Sequence, residues 1–154
     1  MLPEIMATFG IGEAQAGLLL GAGSLGYALG PIIGGVLLDR QKLKLMMVLC
    51  FGLETGFLIA FGLTPLFFLT VLFNFGLVFM GGQLETAANY MPNIVGARSV
   101  SSVMNLVHFF FSVGALIGPI LIGSMLNRGG DWRNYLFYLA VPPGIPRLSS
   151  ARSP

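Results

Sequence analysis

The stretch GYALGPIIGGVLLDR, residues 26–40, has a counterpart later in the same chain, where residues 114–128 read GALIGPILIGSMLNR. The two stretches align without gaps, and both begin with the pattern Gly-x-x-x-Gly-Pro. Each lies in a long apolar run, and a Gly-Pro step repeated in two such runs indicates an internal repeat. We therefore expect two helices of the chain to be equivalent members of a repeated unit.

The composition indicates where these runs reside. Hydrophobic residues make up 55% of the chain and charged residues 9%, and the mean hydropathy is +0.85, whereas soluble domains carry roughly 25% charged residues. Residues 14–38, 55–84 and 99–127 contain no charged side chain. A helix needs ~20 apolar residues to cross a bilayer, so the sequence predicts an all-α integral membrane protein with several spans.

Turn signals divide residues 14–146 into a bundle of helices. Pro92 is expected to end the third helix, because proline interrupts the helical hydrogen bonding. The predicted helices are 14–38, 43–63, 66–90, 100–126 and a partial helix at 134–146. Residues 1–13 are interpreted as an extracellular segment that follows a missing first helix, and residues 147–154 as an artefactual or disordered tail.

Basic residues set the expected orientation. Arg40, Lys42 and Lys44 follow the first predicted helix and Arg98 follows the third, while the opposite side carries the smaller basic group Arg128 and Arg133. Because cytoplasmic loops are enriched in basic residues, we expect the turn at residues 39–44 to face the cytoplasm. The first and fourth helices then run in opposite directions, as in the inverted repeats of many secondary transporters.

The repeated glycines and prolines have a mechanical interpretation. Gly30 and Gly118 belong to rows of small residues that allow helices to approach closely in lipid. Pro31 and Pro119 each leave a carbonyl without its helical donor and so permit a bend. These four positions are predicted to serve helix packing and bending.

A motif at the end of the first helix carries a family resemblance. GGVLLDRQKLK, residues 34–44, resembles the loop between the second and third helices of the major facilitator superfamily, with Gly35, Asp39, Arg40 and Lys44 at matching positions. The resemblance implies a partial six-helix half of such a transporter, about helices 2–6, with the first helix missing and the last truncated. It also implies that the four matching residues form a gating loop.

A second motif narrows the resemblance. LETAANYMPNIVG, residues 84–96, is similar to the fourth helix of the fucose permease group of sugar–proton symporters, which reads Glu-Thr-Ala-Ala-Asn. The resemblance implies that Glu85 carries the coupling proton and that Asn89 and His108 contact the substrate. Phe111 stands where that group has a polar residue, so the resemblance does not carry over the sugar preference.

The buried ionisable residues lead to the same candidates by a separate route. A charge at the bilayer centre costs on the order of 2.5 to 3.5 kcal/mol on insertion scales, so Glu85 in mid-membrane indicates either proton coupling or a structural ion pair. His108, on a neighbouring antiparallel helix, is expected to contact substrate, to pair with Glu85, or simply to pack. Glu54 is expected to lie outside the cavity as a structural partner.

These observations predict a secondary active transporter of the cell membrane, with multiple passes and proton-coupled uptake of a sugar or similar small polar solute. Its partners would be the solute, the proton, the lipid bilayer and the missing C-terminal half. A drug–proton antiporter remains an alternative, because Gly114-x-x-x-Gly118-Pro119 resembles the antiporter motif of the fifth helix. An inactive or structural membrane fragment is a further alternative.

Other classes of function find little support in the sequence. An enzyme is not expected, since the chain has one histidine and shows no nucleophile motif or paired acids at metal spacing. We expect no metal and no cofactor, and the one cysteine, Cys50, is interpreted as a small packing residue. The net charge of +2 arises from basic residues in connecting segments, so no nucleic-acid partner is expected.

Overall fold

Helices are the only regular secondary structure in the part of the chain that the computed structural model describes, which is residues 1–38, 43–94 and 99–140. The helices are α1 (Leu2–Phe9), α2 (Glu13–Leu38), α3 (Leu43–Leu63), α4 (Phe67–Ile94), α5 (Val100–Asn127) and α6 (Trp132–Ala140). Four of them, α2 to α5, are long and apolar enough to cross a membrane. The predicted all-α membrane bundle is confirmed.

The helix bounds differ from expectation by more than one residue at three places. α4 does not end before Pro92 but continues through this residue to Ile94, because the buried proline ring packs against its neighbours and this packing offsets the helical hydrogen bond that a proline removes. Residues 2–9, expected to be no more than part of an extracellular segment, form α1. α6 begins at Trp132, two positions before the predicted 134, and residues 141–154 lie outside the described residues.

The closest helix pair is α2 with α4, and glycines of α2 make it so. A Cβ atom at Gly26 would lie 2.6 Å from the carbonyl oxygen of Phe75, and one at Gly30 would lie 2.5 Å from that of Phe79. The two backbones therefore meet directly, as small residues permit in membrane helices. Asn74 of α4 strengthens the pair by donating from Nδ2 to the carbonyl oxygen of Leu19, 2.9 Å away.

Buried residues of four helices form an apolar cluster at one end of the bundle. Its buried members come from α1, α2, α3 and α6: Ile5, Leu19, Phe61, Trp132 and Leu136. Trp132 is 2% exposed, and its indole N–H donates to Thr8 Oγ1 at 3.0 Å. Burial thus holds the short helices α1 and α6 to the long ones, and the indole hydrogen bond joins α1 and α6 to each other.

A smaller cluster near the start of α3 consists of Met46, Cys50 and Ala87. Cys50 is buried, and its Sγ lies 3.6 Å from Oε1 of the buried Gln83. Cys50 therefore packs between α3 and α4, as expected.

The helix α5 packs more loosely than the other long helices. None of its residues is buried, and its main contacts are with α4 and α6. Large apolar side chains such as Phe110, Leu116 and Ile120 are more than 60% exposed. This arrangement leaves an open space between α5 and the rest of the bundle, which is where the polar residues collect.

Candidate functional site

An open cavity of about 740 Å³ lies among α2, α3, α4, α5 and α6. Most of its wall is apolar, with side chains such as Phe51, Leu77 and Phe111. The polar groups on the wall come from four different helices, and they are Tyr27, Glu54, Thr55, Glu85, Asn89 and His108. A concave, largely apolar site with a few convergent polar groups is the usual form of a small-molecule binding site.

Glu85 is held in this wall by a residue of α2. The phenol of Tyr27 donates to Glu85 Oε2 at 2.6 Å, a distance typical of an O–H donor bound to an ionised carboxylate. Tyr27 directly follows Gly26, where the backbones of α2 and α4 touch, so the glycine contact brings the phenol within reach. Sequence reasoning missed Tyr27, because a tyrosine in an apolar helix is equally typical of an interfacial anchor.

Asn89 lies one helical turn beyond Glu85 on α4 and shares its face. It lines the main cavity and also a smaller one of about 420 Å³ between α2 and α4. Its Oδ1 is shielded from solvent and accepts no hydrogen bond from any described residue. A buried acceptor without a donor is costly, so a turn of the side chain that let this oxygen accept from a hydroxyl or N–H group in the cavity would be favourable.

His108 of α5 lines the same cavity as Glu85, and its side chain is exposed. Within the described residues no hydrogen bond or ion pair joins His108 to Glu85; the carboxylate is bound by Tyr27 instead. The structure thus brings Glu85, Asn89 and His108 to one cavity without a pairing of His108 with Glu85. Their roles in coupling and substrate contact stay predictions.

The expectation that Glu54 lies outside the cavity is wrong. Glu54, Thr55 and Leu58 of α3 all face the cavity, because α3 packs along α4 and turns this face toward the open space beside α5. The carboxyl group lies beside Gly81 of α4, where a Cβ would be 3.4 Å from Glu54 Oε1, an ordinary contact distance. Glu54 forms no ion pair or hydrogen bond with the described residues.

The gating-loop residues fall only partly within the described structure. Asp39 and Arg40 lie outside the described residues, so their partners stay a prediction. Lys44 is exposed in the first turn of α3. A Cβ at Gly35 would meet no atom within 4 Å, whereas the neighbouring Gly34 is packed against Gln83.

The matched Gly-Pro positions of the repeat have different surroundings. Gly30 and Pro31 lie at the α2–α4 contact, where Pro31 Cδ would be 2.9 Å from a Cβ at Gly82. Gly118 and Pro119 lie inside α5, and the nearest atom to a Cβ at Gly118 is the phenol oxygen of Tyr135, 4.0 Å away. Close packing is therefore seen at the first Gly-Pro position alone.

No group of three or more histidine, cysteine, aspartate or glutamate side chains that would hold a metal ion occurs among the described residues. The polar groups on the cavity wall are two carboxyl groups, a phenol, an aliphatic hydroxyl, an amide and an imidazole. Such groups bind polar solutes by hydrogen bonds and exchange protons.

Comparison with known proteins gives consistent relatives. The chain is 31% identical over 136 residues to the L-fucose-proton symporter of Escherichia coli (strain K12), covering 82% of this chain and 30% of the symporter. It is 30% identical over 146 residues to the cis,cis-muconate transport protein of Acinetobacter baylyi, covering 92% of this chain and 34% of that protein. It is also 30% identical over 142 residues to the multidrug transporter FLR1 of Candida glabrata, covering 88% and 25% of the two chains.

The chain thus spans about a third or less of the length of these relatives. No solved structure matches it. The profile of the Major Facilitator Superfamily matches residues 1–146, which is nearly the whole of the sequence, and the fold described above is a bundle of membrane-spanning helices. This chain is a multi-pass membrane protein and belongs to the Major Facilitator Superfamily.

Proposed function

We propose that this chain is part of a secondary active transporter that couples the uptake of a small polar solute, such as a sugar, to protons. Glu85 is the coupling carboxylate in this proposal. The observation that carries it is the position of Glu85 in the wall of a largely apolar cavity, with Tyr27 as its hydrogen-bond donor. The similarity to a fucose–proton symporter supports the choice of solute and ion.

The coupling follows from the cost of a charge in the membrane. An ionised carboxylate inside the hydrocarbon region is unfavourable, so a site that closes around Glu85 closes more readily after the carboxylate has bound a proton. Exposure to the cytoplasm then releases the proton. Because the neutral site passes through the closed state at lower cost, movement of the proton is tied to movement of the solute.

Two further polar residues of the cavity wall bind the solute in this proposal. Asn89 lines the cavity and its Oδ1 lacks a donor, so a turn of its side chain would let that oxygen accept from a sugar hydroxyl. His108 faces the same space from α5 and has an exposed imidazole that either donates or accepts. These two residues are the proposed substrate contacts.

The proposal is tested in the full-length transporter reconstituted in lipid vesicles with labelled fucose as the probe. Glu85→Gln mimics the protonated carboxyl, so we expect exchange of solute across the membrane to persist while accumulation against a gradient is lost. Glu13→Gln is the matched control, because Glu13 is exposed at the start of α2, away from the cavity. Accumulation by Glu85→Gln equal to that of the parent would contradict the assignment.

Drug–proton antiport is the second candidate. It is favoured by the apolar and aromatic part of the cavity wall and by the similarity to a multidrug transporter. The same vesicles distinguish the two modes, because a symporter moves protons with the solute and an antiporter moves them against it. Acidification of the vesicle lumen when labelled solute enters would indicate symport, and alkalinisation would indicate antiport.

A further inference from the structure

We infer that Tyr27 is a positioning residue for Glu85. Its phenol holds Oε2 of the ionised carboxylate and leaves Oε1 to receive the proton. This inference rests on the proposed function of Glu85. The contact is a 2.6 Å hydrogen bond between helices, from the phenol of Tyr27 on α2 to Oε2 on α4. Neither the Glu-Thr-Ala-Ala-Asn motif nor the loop motif contains this tyrosine.

The other residues that line the cavity around Glu85 do not hold its carboxylate. Glu54 faces the cavity from α3 and His108 faces it from α5, while α6 contributes the apolar Leu139. None of these three forms a hydrogen bond or ion pair with Glu85. Among the described residues, Tyr27 is the donor that the carboxylate has.

The strength of this contact depends on the charge of Glu85. A hydrogen bond to an ionised oxygen is roughly twice as strong as one between neutral groups. Tyr27 therefore stabilises the ionised carboxylate more than the protonated one. Glu85 Oε1 makes no hydrogen bond to a described residue, so it is the oxygen on which a proton from the cavity forms its O–H bond, while Oε2 keeps the phenol as its donor.

The location of Tyr27 fits a positioning role better than a role in the core. Tyr27 is 49% exposed, so about half of its surface is not packed against other residues, and it lines the cavity. Its backbone is fixed by the adjacent Gly26, which touches α4. The phenol is thereby held at a set distance from Glu85 by a rigid contact between two helices.

The test uses the full-length transporter and two readouts. The first is the infrared band of the ionised Glu85 carboxylate, identified as the band that Glu85→Gln removes. In Tyr27→Phe we expect this band to shift in frequency relative to the parent, because Oε2 has lost its hydrogen bond from the phenol. Tyr135→Phe is the matched control, since Tyr135 lies on α6 and lines neither cavity.

The second readout is solute exchange in vesicles, measured for Tyr27→Phe with and without Glu85→Gln. A residue that acts through Glu85 should have no further effect once Glu85 is replaced, which is the non-additivity that a double-mutant cycle detects. An unchanged frequency of the Glu85 carboxylate band in Tyr27→Phe, or an equal loss of exchange in both backgrounds, would overturn the inference.

The two proposals fail in different ways. If Glu85→Gln still accumulates fucose, the coupling role of Glu85 is wrong, but the infrared shift in Tyr27→Phe still reports on the positioning contact. If accumulation is lost in Glu85→Gln and the band does not move in Tyr27→Phe, coupling by Glu85 stands and the role of Tyr27 is wrong. Thermal unfolding of each variant in detergent separates either result from a loss of folding.

Discussion

Arg133 is the residue that joins the short helix α6 to the end of α3. Its Nε donates to the carbonyl oxygen of Gly62 at 3.0 Å and its Nη2 to that of Thr64 at 3.4 Å. Carbonyl groups at a helix C-terminus lack intrahelical donors. The guanidinium therefore provides hydrogen-bond donors for two such carbonyl groups at once. The same group lies over the rings of Phe9, at 5.6 Å, and Trp132, at 4.5 Å.

Replacement of this side chain should weaken the bundle even when its charge is retained. Arg133→Lys loses the planar fork that serves two carbonyl groups and stacks on aromatic rings, so we expect the free energy of unfolding to fall by about 1 kcal/mol. The measurement is thermal unfolding in detergent, with Arg128→Lys as the control because Arg128 is exposed. Equal unfolding temperatures for the two variants would show that these contacts contribute nothing.

The residues of the cavity differ in how far the sequence foretells their position. Glu85 and Asn89 are four residues apart on one helix, so the helical repeat alone places them on one face. Tyr27 and Glu54 reach the same cavity from other helices, through the approach of α2 and α3 to α4. That approach depends on which glycines are in contact, and sequence spacing does not reveal which of several glycine rows will be used.

At the scale of helices, the glycine rows of α2 and α5 look alike in sequence and differ in the structure. Gly30 has the backbone of Phe79 against it, while Gly118 has open space apart from the phenol of Tyr135. Periodicity predicts that both rows pack closely, because small residues at this spacing favour helix contact in lipid. Whether a glycine row packs closely depends on which helix lies against it, and the tertiary structure determines that neighbour.

This difference predicts opposite effects for the same substitution at the two matched positions. Gly30→Ala places a Cβ 2.5 Å from a carbonyl oxygen, so we expect the helices to separate and stability to fall by about 1 to 3 kcal/mol. Gly118→Ala meets no such obstacle and should leave stability unchanged or raise it by up to ~1 kcal/mol, as alanine favours helix.

Thermal unfolding of this chain in detergent measures both variants under identical conditions. A loss of stability in Gly118→Ala as large as that in Gly30→Ala would show that α5 packs as tightly as α2. Equal stability of Gly30→Ala and the parent would show that α2 and α4 can separate enough to fit the methyl group without a loss of unfolding free energy.

Element bounds were largely predictable from charge and apolar runs. The predicted 43–63 and the observed α3 agree, and α2 begins one residue before the predicted 14. The end of α4 was not predictable in this way, because Pro92 is buried and the helix continues around it. Packing of its ring against neighbours offsets the lost hydrogen bond, and a rule based on proline alone does not include that contribution.

For the whole molecule, composition alone predicted the class of fold. A chain with 9% charged residues has too little polar surface to face water on all sides, and apolar helices are the structures that satisfy their backbone in lipid. The inverted relation between α2 and α5 and the cytoplasmic location of residues 39–44 stay predictions. The first concerns a symmetry between two helices and the second the placement of the bundle in a membrane, and contacts between residues determine neither of them.

The uneven contacts of α4 also have a consequence for motion. Since α2 meets α4 backbone to backbone at Gly26 and Gly30, we expect these two helices to move as one rigid body. The helix α5 has no buried residue, so it should shift and rotate against that body. Spin labels at the exposed Leu29, Leu72 and Leu116 report this directly, because the chain's one native cysteine is buried. A narrow distance distribution between the α2 and α4 labels, beside a broad one between the α4 and α5 labels, is the expected result, and equally narrow distributions would contradict it.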